Sequence, residues 1–231
     1  MVAGVAADIL SKLRLEYDLE AVAAKFPVDW AESMNTVLTQ ELARFNRLLS
    51  LVHSSLAAVQ KAMAGLVLMS GALEELSDDL FFGPRLDFFD AWFASGTPCK
   101  FWISGFFFTQ SFLTGALQNF ARKYTVAIDE VEFNVDMLKQ DQQGINQPPV
   151  DGVYVHGMFL DGARWDKAGG VLAESTPKVL FSSAPVMWLQ PAHQSDLKEY
   201  QHYACPMYVT SERRGVLRTT GHSSNFVMVV K

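Results

Sequence analysis

Histidine, serine and cysteine are the side chains with which this protein could catalyse a reaction or bind a metal. Residues 219–224 read Thr-Thr-Gly-His-Ser-Ser, so that His222 could act as a base for the hydroxyl of Ser223. The same composition is typical of a turn with backbone-capping hydroxyls, and composition favours the turn. His202 and Cys205 lie three apart in a strand-like segment, on opposite faces, which disfavours a shared zinc ion. We therefore expect no catalytic residue and no metal site, with an α+β enzyme centred on His222 as the alternative.

Nucleotide and nucleic-acid binding leave recognisable patterns, and this sequence lacks them. No glycine is followed by lysine, so the Gly-x-x-x-x-Gly-Lys-[Ser/Thr] phosphate loop is absent. The 19 Lys and Arg residues face 25 Asp and Glu residues, so that no basic surplus is left to bind phosphates. The most apolar stretch, residues 101–108, is well short of the ~20 residues that cross a bilayer. We expect no cofactor, no nucleic-acid partner and no membrane segment.

Apolar residues repeat with a helical period through the first half of the sequence. Beyond Asp29 or Ser33, either of which could cap a helix, they recur at steps of three or four. Residues 86–93 and 109–124 predict two further helices, the second ending in basic residues that suit the helix dipole. The sequence therefore predicts a helical subdomain over residues 1–124.

The apolar period changes to two after residue 125, where Val131, Phe133 and Val135 alternate with polar neighbours. Further short strands are predicted over residues 152–160, 178–181, 185–189, 203–210 and 226–230. No helical pattern lies between them, which is typical of an antiparallel sheet or small barrel. We therefore predict an α+β fold, with a helical N-terminal half and an antiparallel β-barrel-like C-terminal half over residues 125–231.

Aromatic and arginine residues are the candidates for contacts with a partner, because these types dominate interface energies. The N-terminal segment 9–30 carries too many apolar residues to be left exposed to water, so we expect it to dock on a partner. Packing on the protein's own helices is the alternative. The aromatic run 101–108 either fills the core or meets a partner. The six interface candidates are Phe26, Trp30, Arg164, Trp165, Arg213 and Arg214.

Three segments carry longer motifs. Residues 33–41 and 44–49 read SMNTVLTQE and RFNRLL, residues 101–108 and 112–124 read FWISGFFF and FLTGALQNFARKY, and residues 157–166 read GMFLDGARWD. Shorter motifs at 177–180, 185–188, 205–206 and 219–222 continue in the same order. Together they resemble the C-terminal domain of dynein heavy chains over nearly all of the sequence. Two departures are Thr109, where the family usually has proline, and a connection over residues 76–89 that is shorter than usual.

The GARWD and SERRG segments resemble axonemal heavy chains more than cytoplasmic ones. Among the axonemal types, the resemblance as a whole leans towards an inner-arm heavy chain. The resemblance implies a non-catalytic regulatory domain that packs on the AAA+ motor ring and modulates microtubule-based motility in the axoneme of a cilium or flagellum. Residues 1–33 would be the link from the preceding AAA+ module. The implied partners are the AAA+ ring modules of the same heavy chain and other axonemal dynein subunits, and the ATPase sites would lie upstream.

Overall fold

The computed structural model describes residues 10–11, 13–63, 82–138, 144–179, 181–197, 205–208 and 226–230. The protein divides into two compact units, of which the first comprises Met1–Val28 and Asn35–Ala94 and the second Asp29–Met34 and Ser95–Lys231. The described part of the first unit is helical, and the second combines a helix with strands, so the predicted α+β class is confirmed. The predicted subdomain boundary after residue 124 stays a prediction.

Within its described residues the first unit contains α1 (Leu19–Lys25), α2 (Ser33–Met63), which belongs to this unit from Asn35 onward, and α3 (Phe82–Ser95), which belongs to it as far as Ala94. The side chain of Asp18 caps α1 by accepting hydrogen bonds from two backbone N–H groups of its first turn. The rings of Phe45 and Phe89 meet at 5.0 Å between centroids. The predicted apolar stripe of α2 is buried together with α3, and the core residues of the unit are Val22, Val37, Leu38, Leu42, Phe45, Leu49, Leu86, Phe89 and Trp92.

The second unit contains helix α4 (Thr109–Tyr124), with the bounds that the sequence predicts, and ten described strands. The strands are β1 (Lys100–Trp102), β2 (Val131–Met137), β3 (Val153–His156), β4 (Phe159–Asp161), β5 (Ala163–Asp166), β6 (Val171–Glu174), β7 (Phe181–Ser183), β8 (Met187–His193), β9 (Cys205–Tyr208) and β10 (Phe226–Val230). They form two four-stranded sheets, in the orders β1-β3-β8-β2 and β10-β9-β4-β7, and the hairpin β5-β6. Helix α4 packs against β2 and β8.

The described strands form open sheets, which corrects the expectation of a barrel-like half. A barrel closes only when its first and last strands pair, whereas β1 and β2 lie at the two edges of one sheet. The expectation of purely antiparallel pairing is also wrong, because β1 pairs with β3 in parallel, with Phe101 opposite Val155. Parallel strands need a long crossover, and the connection between these two contains α4. Alternation of apolar residues carries no information on strand direction.

Gly157 interrupts the strand predicted over residues 152–160. Its φ of +85° lies in the left-handed region, and a Cβ added there would collide with the indole ring of Trp102. The hydroxyl of Ser104 donates a hydrogen bond to the Gly157 carbonyl. The backbone therefore turns between β3 and β4, which pair in two different sheets.

Candidate interaction surface

Of the residues considered for catalysis or metal binding, Cys205 lies in β9. His222, Ser223 and His202 lie outside the described residues, so the enzyme alternative stays untested. His156 lies on β3, where burial and the nearby Lys100 ammonium lower its pKa to about 4, so the ring is neutral near pH 7. Among the described side chains, no three His, Cys, Asp or Glu are placed to hold a metal ion.

A polar cluster that the sequence analysis did not single out lies at the end of β8. His193 Nδ1 is 2.8 Å from Ser195 Oγ, and His193 Nε2 is 3.4 Å from a carboxylate oxygen of Glu130. Glu130, His193 and Ser195 thus have the residue types of a catalytic Glu-His-Ser triad. However, the backbone N–H of Ser195 donates to Nδ1 at 3.2 Å, and the Ser195 hydroxyl donates to Asp196. Since the single lone pair of Nδ1 is occupied, His193 acts as the cap of the 3-10 turn Gln194–Asp196.

In the second unit, the segment Asp29–Met34 is held on α4 by side-chain hydrogen bonds. The backbone N–H of Ser33 donates to Asn119 Oδ1 at 2.7 Å, and Asn119 Nδ2 donates to Glu32 Oε1 at 2.9 Å. The same Glu32 oxygen accepts from the backbone N–H of Met34 at 2.9 Å. Two backbone donors are thereby satisfied, which fixes the path of the segment.

Trp30 lies on the outside of this segment, with 70% of its surface exposed. Arg122 Nη1 donates to the Trp30 carbonyl at 2.6 Å and to Ser33 Oγ at 2.9 Å. The guanidinium carbon is 5.4 Å from the centre of the indole ring, within the range of cation–π attraction. Arg122 therefore holds both the backbone and the ring of Trp30, and most of the ring remains open to solvent.

The C-terminal end of α4 carries further exposed groups. Lys123 Nζ lies 2.6 Å from Asp151 Oδ1, and this hydrogen bond raises the pKa of Lys123. The Tyr124 hydroxyl donates to the other Asp151 oxygen at 2.8 Å, while Val150 is 86% exposed. We refer to the residues that flank this helix end as the α4-end surface: Trp30, Arg122, Lys123, Tyr124 and Val150.

Phe26 lies in the first unit and is half-buried against α3. Its ring centroid is 6.5 Å from that of Phe93, and Lys25 Nζ lies 5.8 Å and 5.0 Å from the two ring centres. This contact is the packing alternative that the sequence left open. A role of Phe26 at an interface stays a prediction.

Arg164 and Trp165 are neighbours in β5, whose partner is β6. Arg164 is exposed and lies 4.0 Å from the carboxylate of Asp166, whereas Trp165 is half-buried. Successive side chains of a strand point to opposite faces, so these two present different faces of the hairpin. Arg213 and Arg214 lie outside the described residues.

The aromatic run 101–108 is divided between core and surface. Phe101 and Phe106 are buried and meet Phe112, with ring centroids 4.8 Å and 4.7 Å from it. Phe107 and Phe108 are 38% and 51% exposed. Only the second pair is therefore placed to meet a partner.

Comparison with known proteins decides the family. The family model that describes the C-terminal domain of the dynein heavy chain matches residues 1–84 and 81–231, which together are the whole sequence. The protein belongs to this dynein family. The resemblance found in the three long motifs is thus confirmed.

Axonemal heavy chains are among the relatives of this dynein domain. It is 46% identical over 248 residues to dynein axonemal heavy chain 12 of Mus musculus, 44% over 252 residues to dynein axonemal heavy chain 3 of Mus musculus, and 42% over 256 residues to dynein axonemal heavy chain 1 of Homo sapiens. These alignments cover 96%, 98% and 100% of the present sequence but 8%, 6% and 6% of the relatives. The domain therefore spans a small part of their length. The inner-arm assignment stays a prediction.

The dynein comparisons also bear on the connection over residues 76–89. The alignments run over 248 to 256 positions, more than the 231 residues of this sequence, so the relatives contain residues that it lacks. The two matches of the family model overlap at residues 81–84, inside the stretch that is predicted to be shortened. Among the helices that the structure describes, none combines the length and the apolarity needed to cross a bilayer.

Proposed function

We propose that this domain is a non-catalytic regulatory element of an axonemal dynein heavy chain, which packs on the AAA+ ring of its own heavy chain and modulates microtubule-based motility. The observation that carries the proposal is the match to the dynein C-terminal domain over the whole sequence, together with 42% to 46% identity to axonemal heavy chains. Because the domain covers 6% to 8% of these relatives, the proposal assigns ATP hydrolysis to the rest of the heavy chain. The site of action would be the axoneme of a cilium or flagellum.

The α4-end surface is the best candidate for the contact with the ring. A stable contact needs about 800 Å² on each side, with aromatic and arginine anchors near its centre. Trp30 supplies a large exposed ring that Arg122 already holds in place. A preordered anchor loses little conformational entropy on binding, which favours Trp30 over a freely rotating side chain.

The β5-β6 hairpin is a second candidate surface, for contacts with the ring or with other axonemal dynein subunits. Arg164 is exposed on this hairpin, and Val171 of β6 is 55% exposed. Trp165 lies beside Arg164 and would add apolar area. Arg213 and Arg214 would contact the same partners, the ring or other axonemal dynein subunits.

The proposal is tested with a heavy-chain motor fragment made with and without this domain. ATP hydrolysis should persist in the shortened fragment, because the proposal assigns the nucleotide sites to other parts of the heavy chain. Microtubule gliding velocity, or the ATP hydrolysed per distance moved, should change by about twofold or more, which corresponds to about 0.4 kcal/mol. Loss of hydrolysis in a fragment whose ring is still folded, or unchanged gliding and hydrolysis, would each refute the proposal.

A further inference from the structure

Residues 14–26, which include α1, contact α2 and α3 through a series of ion pairs and hydrogen bonds as well as through the ring pair of Phe26 and Phe93. We propose that these residues form a releasable strap, which can detach from α2 and α3 while the two helices keep their mutual packing. The proposal goes beyond the function proposed above and does not depend on it. It concerns contacts within the first unit alone.

The strap meets one face of α3 through charged groups. Arg14 Nη2 lies 2.6 Å from Asp87 Oδ1, and Arg14 also pairs with Asp90. The Tyr17 hydroxyl donates to Asp90 Oδ1 at 2.6 Å, and burial raises the pKa of Tyr17 to about 12, so this donor stays protonated. Asp87 and Asp90 are three residues apart and therefore share a helix face.

The other end of the strap meets the C-terminal end of α3. Lys25 Nζ donates to the carbonyls of Phe93 and Ala94, the latter at 3.1 Å. The last carbonyls of a helix lack partners within the helix, and a cation there also suits the helix dipole. Since Arg14 and Tyr17 contact earlier turns of α3, the strap runs in the same direction as this helix.

Asn46 of α2 holds the strap from a second side. Its Oδ1 accepts from the Tyr17 backbone N–H at 2.7 Å, and its Nδ2 donates to the Tyr17 carbonyl at 2.8 Å. One side chain thereby satisfies both backbone groups of one strap residue. Asn46 belongs to the RFNRLL motif, for which the sequence suggested no individual role.

Apolar burial contributes less to the strap than to the helices beneath it. Of residues 14–26, Val22 alone is fully buried, Phe26 is half-buried against Phe93, and Leu15 is 84% exposed. Phe45 and Phe89, in contrast, are fully buried with ring centroids 5.0 Å apart. Exposed ion pairs are weak and are screened by salt, whereas salt does not screen the packing of buried rings. The strap should therefore respond to salt and to loss of charge before the helix pair does.

Lys25 is the position at which a single change of charge should release the strap, because its ammonium is exposed and caps α3 from outside. The test measures hydrogen–deuterium exchange of the 231-residue protein by mass spectrometry, with Lys25→Met as the variant. Arg47→Met is the matched control, because it removes one exposed positive charge from α2. Lys25→Arg keeps the charge and should exchange as the unchanged protein does.

In Lys25→Met, the amides of residues 19–26 should exchange about five- to tenfold faster, while those of residues 37–49 keep their rates. Salt at about 0.5 M should shift the unchanged protein in the same direction, because it screens the charged contacts of the strap. Asn46→Ala should also accelerate exchange in residues 19–26. Equal exchange in Lys25→Met and Arg47→Met, or an equal acceleration in residues 37–49, would overturn the proposal, because the strap would then be an integral part of the helical core.

Discussion

The Gly157→Ala variant tests how closely the turn after β3 packs against the indole of Trp102. Replacement by alanine places a methyl group against this ring and keeps a positive φ that alanine adopts poorly. Strain and overpacking together should lower the free energy of unfolding by about 2–4 kcal/mol. Chemical denaturation of the Gly157→Ala variant and of the unchanged protein measures the difference in the free energy of unfolding.

Gly162 is the matched control for this prediction. Its φ is +68°, but an added Cβ would meet nothing within 4 Å. Gly162→Ala should therefore cost only the backbone strain, about 1 kcal/mol. Equal losses in the two variants would show that the contact with Trp102 contributes nothing.

His156 should make stability depend on pH between about 4 and 6.5. Burial, and secondarily Lys100, lowers its pKa in the folded protein to about 4, whereas the unfolded state has the ordinary value. As the pH falls below the unfolded value, the unfolded state binds a proton first, and the free energy of unfolding decreases until the folded pKa is passed. The full difference would be about 3 kcal/mol, and solvent access to the half-buried ring reduces it to about 1–2 kcal/mol.

Urea denaturation at a series of pH values checks this expectation. His156→Gln should flatten the profile between the two pKa values, because glutamine does not titrate. His53→Gln is the control, since His53 is a partly exposed histidine of α2. A profile that His156→Gln leaves unchanged would mean that another group causes the acid sensitivity.

Helix α4 ends at Tyr124, and its C-cap residue Thr125 has a left-handed conformation with φ 55° and ψ 46°. The backbone N–H groups of Thr125 and Val126 both bond to the Ala121 carbonyl, as at many helix ends that use glycine. A β-branched residue is strained in this conformation. Thr125→Gly should therefore raise the free energy of unfolding by about 0.5–1 kcal/mol.

Thr125→Ala separates the conformational effect from the loss of the threonine side chain. Alanine retains a Cβ and gains little from the substitution, so its denaturation midpoint should stay below that of Thr125→Gly. If alanine stabilised the protein as much as glycine did, the left-handed conformation would not be the source of strain.

Helices with a sustained apolar period were predictable from the sequence, and pairings between distant segments were not. The bounds of α4 match the predicted range 109–124, because local spacing and basic C-terminal residues mark that helix. Strand β1 was missed, since three residues within an aromatic run show no period. Its parallel pairing with β3 depends on segments about fifty residues apart, which a local pattern does not record.

The candidate surface was predictable only in part, because it too depends on contacts between segments that are distant in the sequence. Trp30 was selected by residue type, and the structure places it on the surface. The role of Arg122 depends on the segment Asp29–Met34 lying on α4, a contact between residues about ninety positions apart. Phe26 looked equivalent to Trp30 in sequence, yet it packs against Phe93.

At the scale of the whole molecule, the protein is the C-terminal domain of a dynein heavy chain and is built from two compact units. The exposed Trp30 is held in place by Arg122, and aromatic and arginine residues are the usual anchors of protein interfaces. The proposal that depends on this anchor is that the α4-end surface contacts the AAA+ ring.

Site-specific photo-crosslinking in the intact heavy chain tests this contact with the ring. Replacing Trp30 by benzoylphenylalanine keeps an aromatic ring at the position, and the same replacement at Leu51 of α2, also exposed, is the control. Irradiation should join residue 30 to a peptide of an AAA+ ring module, with a yield well above that from position 51. Crosslinks from residue 30 that remain within this domain, or no crosslink at all, would contradict it.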